Sequence, residues 1–287
     1  MKEQNYLDHL VGVFGQPVAE NPGVVIQDAA FEAMGLERWH FLTLDVDKDK
    51  LEDAINGLKA FKMRGINCTI PHKIEVMKYL DEISESAKLI GAVNTIVNDN
   101  GHLFGENTDG KGFVEALAHE GEKVEGRFVT ILGAGGAARA IAVECALAGA
   151  AKVMIINRTL SRAEVLADLM PKQTPAQADA GSWEKGRKIP EGTDILINAT
   201  CVGFGADSGN MPDIDYNTIT PDMVVSDVVF NPVSTLFLQE AAGRGAKTVS
   251  GLGMLACQGA RNFTLWTGCE APLQVMEDKL REEFESN

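Results

Sequence analysis

The chain has 287 residues, 45% of them apolar, which is more than one core holds and fits two compact domains. Lys and Arg number 26 against 41 Asp and Glu, and the resulting net charge of −15 repels a nucleic-acid partner and favours solubility. The five cysteines (Cys68, Cys145, Cys201, Cys257, Cys269) are odd in number and form no C-x-x-C pair, which argues against a zinc site or a disulfide framework and for a reducing compartment.

Met1 to His9 is polar and lacks the apolar core of a secretory leader, so a cytoplasmic location is expected. The most apolar stretch, Ala137 to Ile156, is broken by Arg139, Glu144 and Lys152 and reads as buried helix and strand with no membrane span. From the N-terminus, Leu10–Phe14 reads as a strand, Val24–Met34 as a helix capped by Gly35, and Trp39–Val46 as a second strand. Leu51, Ile55, Leu58 and Phe61 share one helical face, with Gly65 beyond its end. Ile66–Ile70 is a third strand closed by Pro71. Ala92–Val97 and His102–Phe104 flank the hairpin signal Asn98-Asp99-Asn100-Gly101, and a helix runs from Asp109 to about His119.

A polar, glycine-bounded stretch, Gly121–Gly126, marks a domain junction. A second alternating series follows: strand Phe128–Leu132, helix Gly136–Ala148, strand Val153–Asn157, helix Ser161–Leu169, then strands Ile195–Asn198, Val224–Val229 and Lys247–Val249. Leu252–Thr267 and Leu273–Phe284 read as helices. This pattern predicts an α/β protein with two domains built on largely parallel sheets: one over 1–120, completed by 252–287 if the last helices cross back to it, and one over 121–251.

The most informative segment is Val129-Thr130-Ile131-Leu132-Gly133-Ala134-Gly135-Gly136-Ala137-Ala138, an apolar strand running into G-x-G-x-x-A and a small-residue helix. Gly133 permits the tight turn, Gly135 lets backbone N–H groups approach a pyrophosphate, and Ala138 lets helix and strand pack closely. The helix N-terminus faces the phosphates with its partial positive charge. The next strand ends Asn157-Arg158-Thr159, with Arg162 following and no acid before Glu164. An acid there would hold the ribose hydroxyls of NAD, whereas two arginines suit the 2′-phosphate of NADP (NADPH). Thr200, beyond another strand end, falls on the edge where such sheets bind ligands.

Two polar clusters mark the first domain. In Asn67-Cys68-Thr69-Ile70-Pro71-His72-Lys73, Asn67 and Thr69 share one strand face. Pro71 is expected to open a short helix with Lys73 in its first turn, where the dipole opposes the lysine's charge and readies it for proton transfer. The other reading is an ordinary surface lysine. The second cluster is Gly91-Ala92-Val93-Asn94-Thr95 with Glu106-Asn107-Thr108-Asp109-Gly110; Asp109 could cap the following helix, partner Lys73, or do both. The five histidines are dispersed and suggest no metal site.

These segments, together with Gly251-Leu252-Gly253-Met254-Leu255, resemble the shikimate and quinate dehydrogenases in one order over nearly the whole chain. The resemblance implies reversible hydride transfer between NADP(H) and a ring hydroxyl or ketone of shikimate (3-dehydroshikimate) or a close analogue, with a place in aromatic amino acid biosynthesis. It implies that Lys73 and Asp109 are the catalytic pair and that Asn94 and Gln258 contact the ring hydroxyls, with Asn67 and Thr69 nearby. It further implies that Gly133, Ala134, Gly135, Gly136 and Ala137 cradle the cofactor, that Asn157, Arg158, Thr159 and Arg162 hold the 2′-phosphate, and that Thr200, Gly251 and Met254 complete the cofactor site.

Two motifs depart. Relatives carry Ser-x-Ser soon after the first strand, where it binds the substrate carboxylate; this chain reads Glu20-Asn21-Pro22-Gly23, with Asn21 and Gly23 in place of the serines. The family's tyrosine before Asn-Pro is Phe230. Three donors are lost, each worth roughly 1.5–3 kcal/mol to a carboxylate. Either neighbouring groups such as the Asn21 amide replace them, or the preferred substrate is a ring polyol or hydroxy-ketone whose substituent is neutral or differently placed, such as a carboxylate-free cyclitol; quinate, which keeps the carboxylate, is a separate alternative within the resemblance. A non-catalytic NADP-binding regulator needs no Lys73 and Asp109, and a folate-type dehydrogenase would lack the Asn-Thr-Asp-Gly segment. The substrate is expected to be a small molecule, and a homodimer stays open as the assembly.

Overall fold

Alternation of strands and helices builds two sheets. The structure, a computed structural model, describes residues 6–170, 172 and 174–285, so part of the polar N-terminal stretch lies outside the described residues. Its elements fall into two compact units: the chain up to Thr108 with Gly259–Leu280, and Asp109–Gln258 with the chain from Arg281.

The first unit holds β1 (His9–Gly15), α1 (Gly23–Ala33), β2 (Trp39–Asp45), α2 (Leu51–Ala60), β3 (Gly65–Cys68), β4 (Glu82–Ile83), α3 (Glu85–Ile90), β5 (Thr95–Asp99) and β6 (His102–Glu106). Its six strands run in the order β2-β1-β3-β5-β6-β4. β1 pairs parallel with β2 and β3, while β5 pairs antiparallel with both β3 and β6, so this sheet is mixed. The antiparallel pair is the hairpin expected at Asn98–Gly101, where Asn100 and Gly101 both adopt positive φ. Phe14, Leu51, Ile55, Leu58, Ile66 and Ile96 form the core on the α2 side. Phe61, expected on the same helical face, is the C-cap of α2 and 73% exposed, because at about 100° per residue it falls roughly 90° from the centre of the Leu51, Ile55 and Leu58 stripe.

The second unit holds α4 (Asp109–His119), β7 (Phe128–Leu132), α5 (Gly136–Leu147), β8 (Lys152–Asn157), α6 (Leu160–Ala167), β9 (Gln177–Ser182), β10 (Ile195–Asn198), β11 (Val224–Asp227), α7 (Leu236–Gly243) and β12 (Lys247–Val249). All six strands pair parallel in the order β12-β11-β10-β7-β8-β9. This is the doubly wound Rossmann arrangement, and the strand order reverses between β7 and β10. Val129 and Ile131 point to the α5 side with Ile141, Ala142 and Cys145, while Leu132, Leu196 and Val225 meet Phe237 and Leu238 of α7.

α8 (Gly251–Thr267) and α9 (Leu273–Glu285) close the chain. The later part of α8 belongs to the first unit. There Gln27 donates to the Gly259 carbonyl at 2.8 Å, Trp266 Nε1 donates to the Ile96 carbonyl at 3.1 Å, and Phe263 packs on Phe31. No helix among the described residues is long and apolar enough to cross a membrane.

Candidate active site

In the first unit the polar residues gather at the carboxyl end of β3. Asn67 donates from Nδ2 to Thr95 Oγ1 at 2.9 Å and to the Asn94 carbonyl at 3.2 Å. Asn94 is buried; its Oδ1 accepts from the Thr108 amide at 2.8 Å and its Nδ2 donates to Thr108 Oγ1 at 3.0 Å. Thr95 Oγ1 and Thr108 Oγ1 both donate to Asn262 Oδ1, at 2.7 and 2.8 Å. Each hydroxyl has one proton, and these assignments spend each proton once while each oxygen accepts from an amide. Asn67, Asn94, Thr95, Thr108 and Asn262 are thus one satisfied network, and Asn94 and Thr108 fix the backbone just before Asp109.

Thr69 follows β3, with its amide bonded to the Phe14 carbonyl at 2.9 Å. Its methyl fills the space a side chain at Gly15 would take, since an added Cβ there would stand 2.3 Å away. Lys73 is half-buried in a turn ahead of a short 3-10 helix, Glu75–Tyr79. The helix expected from Pro71 does not form: the Lys73 carbonyl accepts from the Val93 amide, at 2.8 Å, tying the segment to the turn before β5. Lys73 therefore does not stand in the first turn of an α-helix, and no helix dipole opposes its charge there. Next to it, burial pushes the Cys68 thiol up to about 12, against the pull of the Lys73 charge. His72 is fully buried, its Nε2 against the Val46 carbonyl at 2.8 Å, which makes it a packing residue. In the loop after β1, Asn21 Oδ1 accepts from the Gly23 amide at 2.9 Å, and Gly23 opens α1 against Phe41.

The second unit carries the cofactor features. Gly133 has φ +111°, and an added Cβ would stand 2.9 Å from both the Ala199 carbonyl oxygen and Thr200 Cγ2, so β7 and β10 end in contact at the point of strand reversal. Gly135 caps α5 and Gly136 opens it; an added Cβ at either meets nothing within 4 Å, leaving open space over the helix N-terminus. A pyrophosphate fits such a cradle of exposed N–H groups. Ala134 and Ala137 flank the turn, and Ala138 is fully buried against β7. Asn157 ends β8 with Nδ2 donating to the Thr159 carbonyl at 2.9 Å; Thr159 precedes α6, and Arg158 and Arg162 are exposed beside it. Thr200 Oγ1 donates to Asn198 Oδ1 at 2.7 Å.

Asp109 is the first residue of α4 and is half-buried. Gln258 lies on α8, where its backbone packs against Gly112: an added Cβ at Gly112 would stand 2.6 Å from the Gln258 nitrogen. Gly251 opens α8 against the Val229 carbonyl, and Met254 packs on the β7–α5 core. The Phe230 ring sits edge-on to Phe204 and Phe284, each at 5.3 Å between centroids. Behind it, Asp227 is buried and accepts from Asn198 Nδ2, the Val229 amide and Thr235 Oγ1. Burial pushes its carboxyl up to about 6 even so.

Three family profiles match this architecture: the shikimate dehydrogenase substrate binding domain over residues 13–96, shikimate/quinate 5-dehydrogenase over 115–202, and the shikimate 5′-dehydrogenase C-terminal domain over 251–281. A shikimate dehydrogenase (NADP(+)) from Desulforamulus reducens is 41% identical over 276 residues, 95% of this chain and 94% of the relative. The chain belongs to the shikimate/quinate dehydrogenase family. Among solved structures, the ligand-free 5-ketofructose reductase of a Gluconobacter strain is 44% identical, with a TM-score of 0.94 over 98% of this chain and 100% of that one. The Thermus thermophilus shikimate 5-dehydrogenase, solved with NADP(H) and shikimate, is 36% identical with a TM-score of 0.85, covering 96% and 99%.

The matched stretches take in Asn67, Lys73, Asn94, the glycine turn and Gln258, and leave out Asp109 and Phe230. Thr95, Thr108, Asn262 and Asp227 had no role in the sequence reading. Thr95 and Thr108 stand inside the family motifs, and an asparagine within the apolar run of α8 was the available sign for Asn262.

Proposed function

We propose that this chain is an NADP-dependent oxidoreductase acting on CH–OH, which carries out reversible hydride transfer at a ring hydroxyl or ketone of shikimate (3-dehydroshikimate) or a close analogue. The observation that carries this reading is the open glycine cradle at β7–α5, with Arg158 and Arg162 beside the end of β8, in a chain about 40% identical across its length to NADP(+)-dependent shikimate dehydrogenases. Residues 121–251 hold the cofactor, and 1–120 with 252–287 hold the substrate. Bound NADP(H) supplies the hydride chemistry. Lys73 and Asp109 handle the hydroxyl proton, and Asn67, Thr69, Asn94 and Gln258 orient the ring. Gly133, Ala134, Gly135, Gly136, Ala137, Gly251, Met254 and Thr200 seat the dinucleotide, with Asn157, Arg158, Thr159 and Arg162 at the 2′-phosphate. The protein works in the cytoplasm, as a homodimer.

The 5-ketofructose reductase relative favours a second reading, a neutral keto-sugar as substrate. Asn21 spends its side-chain oxygen on the Gly23 amide and keeps only its Nδ2 as a donor, Gly23 has no hydroxyl, and Phe230 is packed among aromatic rings, so of three donors expected for a carboxylate two have no replacement at these positions. Following NADP⁺ reduction by absorbance with shikimate and quinate, and NADPH oxidation with 5-ketofructose, separates the two. Efficient shikimate oxidation, lost in Lys73→Ala, supports the first. Turnover of the keto-sugar alone moves the substrate to the second, and no turnover of any refutes both.

A further inference from the structure

The carboxyl ends of β8, β9 and β10 frame a cavity of about 250 Å³ to which Arg158, Trp183, Lys185, Thr200 and Met211 contribute. Trp183 is the residue after β9, and its amide bonds the Asn157 carbonyl at 3.1 Å, which seats it beside Arg158. Its indole is held in place: Nε1 donates to the Asp213 carbonyl at 2.9 Å. The turn carrying Lys185 is braced on the same residue, since Asp213 Oδ1 accepts from the Gly186 amide at 3.0 Å and Gly186 has φ +63°. Two acids also line the cavity, and both spend themselves on the protein: Asp213 on Gly186, and Glu184 on the Ser182 hydroxyl at 3.2 Å. Among the described residues, neither Arg158 nor Lys185 has an ion-pair partner.

A fixed indole, a thioether and two cations that make no ion pair with the acids beside them suit a flat heterocycle that carries a phosphate. Building on the NADP reading above, we propose that this cavity takes the adenosine 2′-phosphate end of the cofactor, with Trp183 as the wall for the purine and Lys185 as a second cation on the 2′-phosphate. Preference for NADP over NAD then resides in the β9 turn as well as in the arginines after β8. Lys185 is exposed, so its replacement leaves the fold intact.

Calorimetric titration of the full chain with adenosine 2′,5′-bisphosphate and with 5′-AMP tests this without turnover. Lys185→Ala is expected to weaken the bisphosphate on the order of tenfold and leave 5′-AMP unchanged. Trp183→Ala should weaken both nucleotides alike, and Trp183→Phe should restore most of the loss. A wild-type preference for the bisphosphate that Lys185→Ala does not move overturns the inference alone. A wild type that binds both nucleotides equally, or neither, overturns the NADP reading on which it rests.

Discussion

Replacing Asn262 with leucine tests whether the buried network is as tightly apportioned as its distances imply. Leucine has the same branching but no acceptor. Thr95 and Thr108 would then each lose the oxygen that takes their proton, at 2.7 and 2.8 Å. Asn94 Oδ1 is the nearest substitute, 3.1 and 3.2 Å from the two hydroxyls, but it already accepts from the Thr108 amide and has room for one of them. One hydroxyl is rehoused and the other keeps only the long 3.3 Å contact to its fellow hydroxyl. With about 1 kcal/mol for the bond lost and about 1–3 for the poorly bonded buried group, Asn262→Leu should cost roughly 2–4 kcal/mol. Adding Thr95→Val removes the stranded hydroxyl, while Asn67 keeps the Asn94 carbonyl as partner at 3.2 Å. The double variant should therefore be more stable than the sum of the two single losses by about 1 kcal/mol. Urea denaturation of the four proteins measures this. A single variant within 0.5 kcal/mol of wild type, or strict additivity in the double, refutes the proton assignment.

Asp227 should make stability fall with rising pH. Burial raises its carboxyl in the folded state from 3.8 to about 6, so between these values the folded chain binds more protons than the unfolded one. The contribution is full below pH 4 and lost by about pH 7, about 3 kcal/mol in all; the stability difference between wild type and Asp227→Asn should shift by that amount across the window, and parallel denaturation profiles would exclude it. Gly65→Ala would set a Cβ 2.2 Å from Trp266 Nε1 and 2.3 Å from the Ile96 carbonyl oxygen, costing about 2–4 kcal/mol, whereas Gly57→Ala in α2 meets nothing closer than 3.8 Å and should gain about 0.5–1 kcal/mol; thermal melts that rank the two the other way would contradict the packing. In a thiol titration of native protein at pH 8, Cys201, which is exposed, should react first, while Cys68, Cys145 and Cys257 should react only after denaturation.

The parts of the fold that sequence made plain are those where a local pattern and the global sheet demand the same thing. β7 carries Val129 and Ile131 toward one layer and Leu132 toward the other, and the glycines follow where the chain must turn and open over a helix end. α2 shows its face through Leu51, Ile55 and Leu58. Three of the elements that went unread lack such a pattern. β9 offers only alanines, Ala178 and Ala180, against the core, and its strand character comes from pairing with β8. α3 is six residues long, too short to show a period, although Ser84 capping Ala87 and Gly91 in the left-handed region mark both its ends. β4 is two residues and exists through its pairing with β6.

The site divides along the same line. The Lys73 segment reads locally as proline followed by a helix, yet a partner twenty residues downstream, the Val93 amide, takes the Lys73 carbonyl and leaves a turn. Local propensity is worth tenths of a kcal/mol per residue, and a long-range backbone bond in a buried segment outweighs it. Asn262 is the sharper case. Nothing adjacent in the chain asks for an amide there; its oxygen is required by two hydroxyls more than 150 residues earlier, and each of those by an amide of its own. Motif residues such as Asn94 and Thr108 are visible in one dimension because they lie together. The residue that joins them is visible only once α8 is folded against the sheet, and a substitution there would pass a motif test while displacing the backbone that leads into Asp109.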